Sequence, residues 1–179
     1  MQKRRSFSAK DIALIGLMMA LSIMLTRMFS LQTQFVRLSF SYVPMVFLAI
    51  MYGPWTAGFA GAAADLLGFF LFSPGFPFSP GFTLSAAIGP ILYGLFLYRK
   101  PLTYGRFFLA FLTVSVLVNV GLNSFWLWLL YDQAVLALLP LRIVQNVVSL
   151  PIDAGILYWL TGSKPIQRVM ADYPIKWVH

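Results

Sequence analysis

The chain has 179 residues, 60% hydrophobic and 10% charged, with a mean hydropathy of +0.81; soluble domains run at roughly 45–50% and 25%. It contains no cysteine, which excludes disulfides, thiolate metal sites and cysteine nucleophiles. The net charge of +8 arises from 13 Lys and Arg against five acidic residues, all Asp. These cations lie in termini and loops flanking apolar segments, the positive-inside pattern of a membrane protein and not the footprint of a nucleic-acid binder.

A helix needs about 20 apolar residues to cross a bilayer. The chain therefore reads as an all-α integral membrane protein of six transmembrane helices in one bundle, a single membrane domain over 1–179. A short basic segment, about 1–10, precedes the bundle and a tail, about 163–179, follows it. The first span is expected from Asp11 to Ser30, a retained helix: no small-x-small cleavage site follows its apolar run. The second, shorter, runs from Leu38 to Met51, is broken by Pro44, and closes on Tyr52-Gly53-Pro54. The third, Trp55 to Phe72, is rich in small residues, and an uncharged Pro/Gly/aromatic loop from Ser73 to Phe82 follows it. Prolines that limit disorder, and Gly75 and Gly81 that permit sharp turns, suit this loop to a lid. The fourth span runs from Thr83 to Tyr98, the fifth from Phe107 to Tyr131 and the sixth from Leu141 to Leu160.

Six spans put both termini on one side. The N-terminal segment, the loop after span four and the tail hold ten of the 13 cations, so that side is the cytoplasm. Arg27, Arg37 and Arg142 then lie near the outer face, at the ends of apolar stretches. A guanidinium near hydrocarbon is costly unless solvated or paired, and a bound anion is the partner this sequence suggests. The alternatives are snorkelling to the interface for Arg27, a solvated loop for Arg37, and pairing with Asp132 for Arg142.

Spans five and six carry polar stripes: Ser115, Asn119 and Asn123 with Trp126, and Arg142, Asn146, Ser149 and Asp153 with Gln145. Residues three or four apart share a helix face, and in lipid such a face must turn inward or line a wet cavity. It reads either as ligand contact or as interhelical hydrogen bonding. Asp65 and Asp153 fall near mid-membrane with no cation at that depth, and either contacts ligand donors or packs helices through hydrogen bonds. Gly16 and Ala20 form a small-x-x-x-small pair, either internal packing or a docking face for another membrane protein. The lone histidine is the terminal His179, and no Walker motif, Gly-rich phosphate loop or His/Glu zinc pattern occurs. No enzymatic activity, metal or cofactor is expected.

Three segments together resemble the substrate-binding (S) subunits of energy-coupling factor (ECF) vitamin transporters. They are Tyr52-Gly53-Pro54-Trp55 with Gly58, Gly61 and Asp65-Leu66-Leu67-Gly68; Pro80-Gly81-Phe82-Thr83-Leu84-Ser85-Ala86 with Gly89; and the Gly16/Ala20 pair. The second is similar to the folate-specific branch. The resemblance implies a multi-pass cell-membrane subunit that captures folate outside and delivers it with a membrane coupling (T) subunit and two ATPases. It also implies that the first helix docks on the coupling subunit through Gly16 and Ala20, with Gly16 in place of the family's first Ala. Folate carries two carboxylates, which suit bidentate arginines, and planar rings, which suit aromatic walls with a few polar contacts. Phe40, Tyr42, Phe76, Phe78, Phe82, Trp126 and Tyr131 lie in the expected outer half. The candidate ligand set is Arg27, Arg37, Phe40, Asp65, Phe82, Thr83, Ser85, Asn123, Trp126, Arg142, Gln145 and Asn146. Two other readings stay open: an S subunit for biotin, pantothenate, riboflavin or thiamin, and a non-transporting membrane adaptor whose arginines hold lipid headgroups.

Overall fold

The computed structural model describes residues 8–27, 31–32, 37–38, 40–72, 78–131, 139–171 and 173. The chain is helical, with one two-residue antiparallel ladder between β1 (Leu31–Gln32) and β2 (Arg37–Leu38) that the sequence pattern did not signal. The helices are α1 (Ala9–Arg27), α2 (Tyr42–Tyr52), α3 (Pro54–Phe72), α4 (Pro80–Leu97), α5 (Tyr104–Val114), a π-helical segment (Ser115–Leu122), α6 (Asn123–Tyr131), α7 (Leu139–Gly162) and α8 (Lys164–Met170). Five stretches are long and apolar enough to cross a membrane: α1, α3, α4, the continuous α5–π–α6 helix, and α7. The sixth expected span is α2, an apolar helix of 11 residues and about 16 Å at 1.5 Å per residue.

Helix α2 is apolar on every side, and Pro44 to Met51 are all buried. A helix of that pattern belongs inside a bundle, and here α1, α3 and α4 enclose it. Helix α5 packs on α4, and α7 packs on α5. The outer faces remain apolar: Trp55, Phe59 and Phe70 on α3, Val147 and Val148 on α7, and Ile12 and Leu17 on α1 are exposed. Exposed apolar helix faces, with backbone polar groups satisfied inside the helices, are the arrangement hydrocarbon requires.

The closest helix pair is α3 against α4, and glycine makes it possible. A Cβ on Gly61 would overlap the Ala86 carbonyl oxygen and reach Pro90 Cγ at 3.0 Å, and one on Gly58 would run into Ile91. Pro90 has no N–H, so the Ala86 carbonyl lacks its usual intrahelical donor; this oxygen is the atom that approaches Gly61. At the other end, Gly94 lies against the Pro54 backbone. The small residues Gly58 and Gly61 on α3 thus serve packing within the bundle. Gly53 ends α2 at φ +90, a conformation that favours glycine, and lets Pro54 begin α3 at once.

A cluster on one end of the bundle joins both ends of the chain. Tyr52 Oη and Tyr173 Oη each donate to Asp11 Oδ1, at 3.0 and 3.1 Å, and lie 2.8 Å from each other. Asp11 Oδ2 accepts the Ser8 N–H at 2.9 Å, capping α1. Asp11 and Tyr173 are buried, so the start of α1, the end of α2 and the tail meet there. Sequence patterning gave Asp11 only as the edge of a span and the tail only as basic.

The glycine contacts predict a contrast between two small-residue pairs. Gly61→Val overpacks the α3–α4 contact and should cost about 1–3 kcal/mol, seen as a lower melting temperature in detergent. Gly16→Ala should be neutral or stabilising, because a Cβ there meets nothing within 4 Å and alanine is the better helix former.

Candidate functional site

Helices α3 and α4 run antiparallel away from and back toward the Asp11–Tyr52–Tyr173 end, so the start of α4 and the end of α6 share the opposite end. There Gly81, in the first turn of α4, lies directly against the Trp126 indole; a Cβ on it would overlap the ring. Ser85 follows Gly81 by one helical turn, and Asn123 precedes Trp126 by about one turn on the same face of α6. Four polar atoms of this region are buried with no hydrogen-bond partner: Ser85 Oγ, Asn123 Oδ1, Ser124 Oγ and Trp126 Nε1. Orphaned buried groups each cost about 1–3 kcal/mol, and each calls for an explanation, whether strain, a functional contact or an ordered water. Ser124 was not among the residues that sequence reasoning selected, since a single serine off the polar stripe carries no periodic signal.

Asp65 and Thr83, both expected at the site, are brought together by α3–α4 packing: Thr83 Oγ1 donates to Asp65 Oδ2 at 2.8 Å. Asp65 thus has a hydroxyl donor at mid-helix, and a ligand would meet a paired carboxyl. Asp153 is met in the same way, by Tyr42 Oη at 2.9 Å. Tyr42 packs edge-on to Phe111 at 5.2 Å, and Phe111 packs against Tyr93 at 5.0 Å. The two mid-membrane carboxyls are therefore satisfied by neutral hydroxyls from neighbouring helices.

The polar stripes of spans five and six meet, but through a distorted helix. Asn119 Nδ2 donates to Asn146 Oδ1 at 3.1 Å, and Ser149 Oγ lies 3.4 Å from the Asn146 carbonyl. Residues 115–122 form a π-helix, whose i→i+5 bonding adds a residue to each turn. The expected run of Ser115, Asn119 and Asn123 on one α-helical face is corrected accordingly: Ser115 is buried, Asn119 is exposed and bonded to α7, and Asn123 holds its carbonyl inside. Gln145 and Asn146 are half-buried in α7, one and a half turns before Ser149 at most.

Of the aromatic set, Phe82 is half-buried, Phe40 is exposed 6.4 Å from Tyr42, and Phe78 meets Phe69 edge-on at 5.2 Å and stacks on Phe70 at 6.1 Å. Phe76, Asp132 and residues 73–77 of the expected lid lie outside the described residues, as does the side chain of Tyr131. For the arginines only backbone positions are described: Arg27 ends α1, Arg37 pairs with Gln32 in the β-ladder, and Arg142 lies in the first turns of α7. Gly16 and Ala20 face outward on α1. Among the described residues no group of three His, Cys, Asp or Glu is placed to hold a metal.

An apolar-faced helical bundle with an uncharged polar cluster inside one end is the form of a multi-pass membrane protein that holds a small molecule. Residues 10–161 match the family "ECF transporter, substrate-specific component", and the chain belongs to it. That family is a transporter's substrate-binding component and not an enzyme, and the chain is a multi-pass cell-membrane protein. It is similar to the folate transporter FolT of Clostridium novyi, 40% identical over 144 residues that cover 80% of this chain and 83% of that one. It is also similar to the folate transporter FolT of Leuconostoc mesenteroides, 32% identical over 165 residues that cover 89% of this chain and 88% of that one. A solved structure described as FolT bound with folic acid matches with a TM-score of 0.79 at 36% identity, covering 86% of this chain and 93% of that one.

The Tyr42–Asp153 contact yields a prediction independent of any ligand. Tyr42→Phe removes the donor that satisfies Asp153 and should destabilise the protein by about 1–3 kcal/mol. Adding Asp153→Leu should recover most of that loss, because a buried pair replaced on both sides by apolar groups is near neutral. Thermal melting of the single and double variants checks both outcomes.

Proposed function

We propose that this chain is a folate-binding S component: it captures folate from outside the cell and delivers it through a coupling subunit and two ATPases. The observation that carries this reading is the fold match to FolT bound with folic acid over 86% of the chain at 36% identity. The chemistry agrees with it. Buried neutral polar groups on α4 and α6 suit a planar heterocycle, and Phe82 and Trp126 flank them. Arg27, Arg37 and Arg142 occupy element ends on that same side of the bundle and suit the glutamate carboxylates, for which the guanidinium fork is the matching group. Asp65 and Thr83, Phe40, and Gln145 with Asn146 complete the proposed ligand set.

Six crossings with both termini in the cytoplasm form part of the same reading, within one membrane domain over the whole chain. The hydrogen bond of Tyr173 to Asp11 supports an even number of crossings, and Lys10, Arg99, Lys100, Arg106, Lys164 and Arg168 at the helix ends on that side support the cytoplasm as its location. Gly16 and Ala20 are exposed on α1, and among the described residues a Cβ on Gly16 meets nothing within 4 Å, which suits a partner helix at close range. No nucleotide motif occurs in the sequence, so the energy of uptake is assigned to the ATPase subunits.

Three experiments test the parts of this proposal. Titration of the purified chain with folate should give saturable tryptophan quenching, and competition with biotin, pantothenate, riboflavin and thiamin should not displace it. Arg→Ala at positions 27, 37 and 142 should, for at least two of them, weaken folate by about 30-fold or more, the loss of a desolvated charge-assisted pair. A pterin lacking the glutamate tail should be almost unaffected; equal losses for both ligands would mean that the arginines hold the fold. Separately, Gly16→Leu or Ala20→Leu should leave folate binding intact and impair uptake in cells that carry the full transporter. Weakened binding with unchanged assembly would count against a docking role for α1.

A further inference from the structure

At the Asp11–Tyr52–Tyr173 end of the bundle, the last turn of α7, helix α8 and the α4–α5 connection wall a groove of about 360 Å³. Its apolar lining is the buried Leu102 together with Tyr158 and Trp159, which are 50% and 73% exposed. Tyr104 meets Tyr158 edge-on at 6.2 Å and extends this aromatic surface. The polar lining is already bonded within the chain. Thr161 Oγ1 donates to the Leu157 carbonyl at 2.9 Å, Ser163 Oγ to the Leu160 carbonyl at 2.7 Å, and Gln167 Nε2 to the Gly162 carbonyl at 3.3 Å. What the groove leaves unmet is aromatic surface and positive charge. Lys164 and Arg168 adjoin Ser163 and Gln167 in sequence and are exposed one turn apart on α8. Among the described residues the acid at this end is Asp11, which is buried and bonded to Tyr52 and Tyr173; Asp172 lies outside them.

We propose that this groove holds one anionic phospholipid, its acyl chain against Tyr158 and Trp159 and its phosphate with Lys164 and Arg168. An anion with an apolar tail meets both requirements at once; a soluble phosphate would leave the aromatic surface uncovered, and a zwitterionic lipid brings no net charge. The level is the right one, because Tyr and Trp gather where headgroups meet hydrocarbon. Helix α8 fits the same position. Ile166 and Met170 pack toward the core while Lys164 and Arg168 stay exposed, the pattern of a segment lying in the interface. Basic clusters just beyond a membrane helix attract anionic lipid, and phosphate accepts charge-assisted hydrogen bonds from both side-chain types. The cavity adds a defined seat to that attraction. This site is separate from the folate reading and does not depend on it. The face proposed for the coupling subunit is on α1, which packs on α2 and α3, whereas α7, α8 and Leu102 wall this groove.

The test is native mass spectrometry of the whole chain, released from micelles that hold equal amounts of phosphatidylglycerol and phosphatidylcholine, with melting temperature measured in parallel. The wild-type chain should retain one phosphatidylglycerol in preference to phosphatidylcholine. Lys164→Gln and Arg168→Gln should each reduce that preference about fivefold, and together about 25-fold. Gly162→Leu places a side chain in the groove wall, where a Cβ meets nothing within 4 Å, and should lower retention with both cations still present. If that variant fails to fold, Trp159→Ala, at an exposed position, takes its place with the same expected loss. Melting temperatures without added lipid should match the wild type throughout. Equal retention of the two lipids by the wild-type chain would overturn the proposal, as would retention unchanged in every variant. A loss in the charge variants with none in Gly162→Leu or Trp159→Ala would also overturn it, leaving only diffuse attraction to surface cations. Unchanged lipid retention with lost assembly on the coupling subunit would assign this face to a protein instead.

Discussion

Close approach of α3 and α4 sets the rest of the bundle. Glycines at 58, 61 and 94 let the two helices meet backbone to backbone, and the carbonyl freed by Pro90 faces Gly61. This contact brings Thr83 within 2.8 Å of Asp65. It also presents the first turns of α4, with Gly81 and Ser85, toward α6. On the opposite side, α2 fills the space between α1, α3 and α4 with a fully apolar surface. Without side chains at those glycines the helices can sit at the short separation typical of small-residue contacts in membranes, where packing and not the hydrophobic effect drives association.

Once the helices are placed, hydrocarbon imposes a second rule: buried polar groups must find partners inside the protein. Most do. Asp153 takes the Tyr42 hydroxyl, Asp65 takes that of Thr83, and Asp11 takes two tyrosines and a backbone N–H. Ser85, Asn123, Ser124 and Trp126 break the rule, and three of them fall where α4 meets α6.

Hydropathy made five spans and the short apolar helix α2 legible, because apolar runs survive in a membrane bundle almost unchanged. Ser85, Asn123 and Trp126, expected as ligand contacts from a motif and a helical period, lie buried or half-buried where α4 meets α6. Other features carry no such signal. The π-helical segment differs from an α-helix by one residue per turn, and Ser115, Asn119 and Asn123 fit either geometry on paper. Tyr52 and Tyr173 are 121 residues apart, so their shared bond to Asp11 follows from topology alone. The pairing of Thr83 with Asp65 likewise depended on the α3–α4 register. Helix α4 begins at Pro80, two or three residues before the apolar run suggested, because proline is well suited to a first helical turn.

That this chain alone holds folate is tested most directly by purifying it without the coupling and ATPase subunits, denaturing it, and measuring released pteridine by its fluorescence. One pteridine per chain, or stoichiometric uptake of added folate by chains purified empty, is the predicted result. Chains that release none and take up none at micromolar folate would contradict it.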